Sequence, residues 1–107
     1  MMNAQTLEAL EASIAKWERN AEAKTPAGYK IGESDCPLCA LFIYPDRCEG
    51  CPVFERTGER FCRDTPYIHA SALRTWWSEG DDAFRNRARA AARDEVAFLK
   101  SLLPVQP

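Results

Sequence analysis

Residues 36–51 read CPLCALFIYPDRCEGC, two Cys-x2-Cys pairs with eight residues between them, and a fifth cysteine, Cys62, follows after ten more. A two-residue gap lets both sulfurs of a pair turn towards one point. Each pair can then supply two corners of a tetrahedron, and two pairs can close a structural zinc site. The expected ligands are Cys36, Cys39, Cys48 and Cys51, with Cys62 able to displace one of them. The competing reading of Cys62 is a small buried hydrophobe. His69, the only histidine, is expected to pack on an apolar helix face beside Leu73 and Trp76 rather than to bind metal. A shell closed by four thiolates leaves no position for substrate, which argues against catalytic zinc. Thiolates must lose their protons to bind, so metal uptake would be part of folding.

Other thiol chemistries compete for the same residues. The eight-residue gap is shorter than in zinc ribbons, and neither pair carries the following glycine of a zinc knuckle; both departures count against those modules rather than against metal. An iron–sulfur cluster also needs four thiolates, and Cys51-Pro52 matches the Cys-Pro that ends some ferredoxin runs. The compact ferredoxin spacing is absent. Redox catalysis by Cys36-Pro37-Leu38-Cys39 at a helix start would draw on a dipole-lowered thiol pKa, but no strand precedes the motif as a thioredoxin context requires.

The succession Cys36-Pro-Leu-Cys39, Cys48-Glu-Gly-Cys51-Pro52-Val53, Thr57-Gly58, Cys62 and Thr65-Pro66-Tyr67 resembles a group of short, cysteine-rich proteins of unassigned function encoded by bacteriophages and prophages. The likeness covers about residues 34–67, and the flanking helices do not contribute. It implies that Cys62 belongs to the constellation and that the protein works in a host cytoplasm. It carries no catalytic residue over.

The flanks read as helices. In residues 3–24, Leu7, Leu10, Ile14, Trp17 and Ala21 follow the 3,4,3,4 spacing of one apolar stripe, flanked by Glu8, Glu11, Glu18 and Glu22, until Thr25-Pro26-Ala27-Gly28 stops it. Residues 28–65 form the cysteine-rich metal module. Within it, Ser34 and Asp35 are placed to cap a short helix carrying Cys36, Pro37, Leu38, Cys39 and the apolar Leu41, Phe42 and Ile43, and the turn signals at Glu49-Gly50 and Thr57-Gly58 leave room for a brief hairpin. Thr65-Pro66 opens a helix over 66–79, with Ala70, Leu73, Trp76 and Trp77 on one side, and Gly80 ends it. A last helix over 81–103 buries Phe84, Ala88, Ala91, Ala92, Phe98, Leu99 and Leu102. The expected fold is mainly α, one domain over 1–107, with three helices around a small, loop-rich, zinc-finger-like module.

Composition bounds the function. The chain has 107 residues, 46% apolar and 28% charged, which suits one globular domain. Its net charge of -2 removes the broad basic field of a non-specific nucleic-acid binder. Met1 to Glu8 carries no basic n-region and Glu8 and Glu11 break any apolar run, so no secretory signal is expected. The longest apolar stretch, Pro37 to Pro45, is nine residues and too short to span a membrane. A cytoplasmic location follows, where paired cysteines read as ligands or redox groups; exported, the chain would carry two disulfides and a spare thiol.

Arg85, Arg89 and Arg93 recur every four residues beside the apolar face of the last helix. They can meet phosphate or an acidic partner, or they can pair with the glutamates of the first helix. Adjacent helical residues diverge by about 100°, so at least one of Trp76 and Trp77 belongs in the core and the other is the best contact candidate. The expected function is a small, non-enzymatic zinc protein that engages an unidentified protein partner, including inhibition or redirection of a host factor. The alternatives are a nucleic-acid-binding regulator using the arginine stripe and an iron–sulfur or thiol redox protein. No serine, histidine or carboxylate arrangement assembles a hydrolytic site.

Overall fold

Asn3 opens the first helix by accepting the backbone N–H of Thr6 on its side-chain oxygen at 2.8 Å, which satisfies one of the donors a helix start leaves unpaired. The computed structural model describes residues 3–31, 36–42, 48–59, 62, 65–78 and 81–104. Five helices run through them: α1 Ala4–Asn20, α2 Pro37–Phe42, α3 Pro52–Thr57, α4 Pro66–Trp76 and α5 Asp82–Lys100. A 3-10 turn, Pro26–Gly28, lies between α1 and α2, and no strand occurs among the described residues. The mainly helical expectation holds. The three long helices and the short α2 are the expected ones, and α3 adds a further short helix inside the cysteine-rich segment.

The proposed helix over 3–24 stops earlier, at Asn20. Asn20 is buried, and its side chain makes a reciprocal pair with the backbone of Lys30, donating to the carbonyl at 2.8 Å and accepting the N–H at 2.9 Å. That pair gives the returning chain the hydrogen bonds a neighbouring strand would supply, and it draws residues 29–31 back along α1. Asparagine competes poorly for a helix interior for the same reason: its amide bonds backbone readily.

Three helices begin on X-Pro: Cys36-Pro37, Cys51-Pro52 and Thr65-Pro66. Proline at the first helical position forfeits an N–H that has no intrahelical partner anyway. The Cys36 and Cys51 carbonyls each accept the first helical bond, from Ala40 at 3.0 Å and from Glu55 at 2.9 Å. The two cysteines therefore occupy the same position at the heads of α2 and α3. Gly58 closes α3 with φ +75, its N–H bonding the Phe54 carbonyl, which places a helix where the sequence had suggested a hairpin or loop. Ser34 and Asp35 lie outside the described residues.

α5 packs against both α4 and α1, and α2 packs on α1. Its inward stripe is Ala88, Ala91, Ala92, Glu95 and Leu99, with Leu102 beyond its end; Phe84 and Phe98, expected in the core, are half-buried on its edges. The alanines allow close approach. At the centre stands Tyr29, packed edge-on against Trp17 at 5.8 Å and Trp77 at 5.9 Å, with its hydroxyl donating to the Ala88 carbonyl at 2.6 Å. Trp17 in turn meets Tyr67 edge-on at 6.0 Å, and the Tyr67 hydroxyl donates to the Ile31 carbonyl. Edge-to-face pairs of this kind add about 0.5–1.5 kcal/mol each beyond the area they bury.

α4 ends at Trp76 rather than near residue 79, because Trp77 leaves the helix and turns its ring onto Tyr29. Trp77 is 4% exposed and Trp76 68%. His69, expected on the apolar face, is exposed. Position 69 precedes buried Ala70, and the step of about 100° per residue rotates it to the flank; Trp76 ends the helix on the exposed side while Trp77, with extended backbone, turns inwards. α5 starts from Asp81, which caps Phe84 N–H, and stops at Lys100 rather than 103, with Ser101 capping its last turn.

Candidate metal centre

One cavity of about 80 Å³ lies between α1, α2, α3 and α5, and all five cysteines line it. Ser13, Lys16 and Trp17 enter from α1, Leu38 and Phe42 from α2, Val53 and Phe54 from α3, and Glu95 and Leu99 from α5. The helix heads bring Cys36 and Cys51 to it, and the first turn of α2 brings Cys39. Cys48 and Cys62 arrive differently. Both have left-handed backbone, φ 73 and 62, and they are the non-glycine residues with positive φ among those described. That conformation costs a non-glycine residue about 1 kcal/mol or more and gathers where function fixes a side chain. Cys48 is held in it by its N–H to the Phe42 carbonyl at 2.7 Å and by Gly50, φ +87, where an added Cβ would lie 3.2 Å from the Phe42 ring.

The Cys39 thiol donates to the Cys36 sulfur, as does the Cys39 backbone N–H at 3.4 Å. The thiol bond holds Cys36 below the usual thiol range against the opposing effect of burial, and the charge of Lys16 adds to it. The same bond, with burial, pushes Cys39 up. Burial raises Cys62, and it raises Cys51 against the pull of the Val53 and Phe54 N–H groups. The cavity thus presents one thiolate-prone sulfur and several protonated thiols whose protons a thiophilic cation would displace. All five cysteines carry unpaired thiols, and no three His, Cys, Asp or Glu side chains among the described residues already converge at the spacing of ligands around one ion.

Three charged residues that the sequence reading did not single out share the cavity, Lys16, Glu59 and Glu95, and two of them are buried. Glu95 is 3% exposed, and burial raises its carboxyl to about 7, with Cys36 adding to the effect and Lys16 opposing it. Lys16 is 5% exposed, its ammonium 5.1 Å from the Trp17 ring centre. The signal for Glu95 stood in the helical register: the stripe Ala88, Ala91, Ala92, Leu99 passes through position 95, where an apolar residue belongs.

The remaining candidates fall elsewhere. His69 does not line the cavity. Trp77 is in the core, which leaves Trp76 and Ile68 as the exposed large apolar side chains among the described residues. The arginine stripe is largely committed: Arg85 pairs with Asp82 at 3.3 Å and Arg89 donates to the Ala21 carbonyl at 3.1 Å, while Arg93 is exposed. The ion pair between α1 and α5 among the described residues is Lys100 with Glu18 at 3.7 Å, not an arginine with a glutamate. No helix among the described residues is long and apolar enough to cross a membrane. No protein-family model, curated protein or solved structure matches the chain.

Proposed function

We propose that the chain is a small, non-enzymatic metal–thiolate protein. A zinc ion held by the cysteines of 36–62 would tie α2, α3 and Cys62 to one another, and the surface so ordered engages a protein partner, with exposed Trp76 as a separate contact candidate. One observation carries the reading: five cysteines separated by up to 26 positions in sequence line one small cavity, which they share with Lys16, Glu59 and Glu95. Chance burial of cysteine explains single residues, not five around one cavity. Left-handed backbone at two of them adds to it. Adding one equivalent of zinc to chelator-treated, reduced protein is expected to raise its Tm, since a ligand bound only by the folded state stabilises it in proportion to the logarithm of its concentration over Kd. An unchanged Tm would count against the reading.

The spread of the sulfurs around about 80 Å³, rather than about one point, favours a second reading in which the thiolates hold an iron–sulfur cluster. A visible absorption band in protein purified without oxygen distinguishes it from zinc, which is colourless.

A further inference from the structure

We propose that Glu95 is a metal ligand, supplying one carboxylate oxygen to a mixed thiolate–carboxylate shell; this rests on the zinc reading above and names a donor outside the cysteine motif. Glu95 is 3% exposed, lines the five-cysteine cavity, and its Oε1 is buried with no hydrogen-bond partner. A buried carboxylate without partners costs several kcal/mol, and native chains retain one where it meets a cation or a proton donor. Zinc accepts carboxylate oxygen beside sulfur at four-coordinate sites, and since no three of these donors among the described residues stand at ligand spacing, its binding would draw Glu95 and the sulfurs together. Glu95 sits on α5, the helix that packs on both α1 and α4, so a bond from it anchors the cysteine segment to the scaffold rather than to itself. Glu59 also lines the cavity but is only partly buried in the turn after α3, so it is the weaker oxygen donor.

Charge supports the assignment. Three thiolates and one carboxylate around a divalent ion leave an anionic group, and Lys16 brings a buried positive charge to the same wall. A lysine so placed is at home beside an anionic centre and costly beside a bare cation.

The test uses the full chain, reduced and metal-free, titrated with Co²⁺ as a spectroscopic stand-in for zinc. The wild type is expected to show the ligand-field bands of a mixed sulfur–oxygen tetrahedron. In Glu95→Gln those bands move to lower energy as a further cysteine takes the position, and affinity falls by about tenfold or more. Identical spectra and affinity in the two proteins would overturn the assignment. Should the variant fail to fold, zinc-edge X-ray absorption of the wild type decides: one oxygen or nitrogen scatterer beside the sulfurs supports Glu95, and an all-sulfur shell defeats it. Wild type that takes up neither Co²⁺ nor zinc overturns the metal reading itself, and the ligand assignment with it.

Discussion

The sulfur of Cys36 accepts the backbone N–H of Cys39 at 3.4 Å, at the head of a helix that starts on Pro37. This bond, the Cys39 thiol and Lys16 all favour the thiolate at Cys36, so the two members of one Cys-x2-Cys pair differ in reactivity. In metal-free, reduced protein, alkylation followed by peptide mass spectrometry is expected to modify Cys36 faster than Cys39 or Cys62, and metal loading should protect all of them. Equal rates at the three would contradict the account of the pair.

The reciprocal bonds between Asn20 and Lys30 hold the chain leaving α1 beside it. Asn20→Ala removes two hydrogen bonds, each worth about 1 kcal/mol net, and leaves the Lys30 groups to be solvated. A loss of about 1–3 kcal/mol in urea unfolding is expected, with the slope on denaturant unchanged. A neutral effect would show that residues 29–31 are held by the aromatic contacts alone.

Tyr29 yields a pH dependence. Burial, with Glu95 adding to it, raises its hydroxyl above the usual tyrosine range. The folded state therefore holds this proton longer than the unfolded chain, so the stabilisation is complete below about pH 10 and is lost as pH rises above the unfolded value. Tyr29→Phe is expected to cost about 1 kcal/mol near neutral pH, through the lost bond to Ala88. That deficit should shrink above about pH 10, where the wild type must ionise or unfold. Denaturant titrations of both proteins across that range check the crossing.

The two neighbouring tryptophans should separate cleanly. Trp77→Ala empties a site in contact with Tyr29 and is expected to cost about 3–5 kcal/mol, whereas Trp76→Ala, at an exposed position, should stay within about 0.5 kcal/mol. If Trp76 contacts a partner, its substitution weakens binding while leaving stability intact. Comparable destabilisation by the two would refute the placement of residue 76 on the flank.

The legible parts of the sequence were those with a strong local period or punctuation. Leu10, Ile14 and Trp17 on one spacing, Thr65-Pro66 before α4, and alanines 88, 91 and 92 each mark a face or a start. Helix α3 was written too, in Pro52 at its first position and Gly58 at its end, but the density of turn residues around it read as loop. What could not be read was tertiary. Tyr29 belongs to no helix, and its central position depends on Asn20 catching Lys30 from ten residues away. Trp77 and Trp76 exchange with a rotation that only the end of α4 fixes. For the site, the Cys-x2-Cys spacings pointed to a shared destination, and the five cysteines line one cavity without standing at ligand spacing around one point among the described residues. Glu95 joins them from a position that the alanine stripe of α5 passes through, whereas Lys16 lies off the stripe predicted for α1 and its burial was not legible.

Metal content bears most directly on the central claim. Protein purified under reducing conditions, with no metal added, should carry about one zinc per chain by elemental analysis, and should lose thermal stability on chelation. Protein that carries no metal and is no less stable after chelation, or cysteines recovered as paired disulfides, would contradict it.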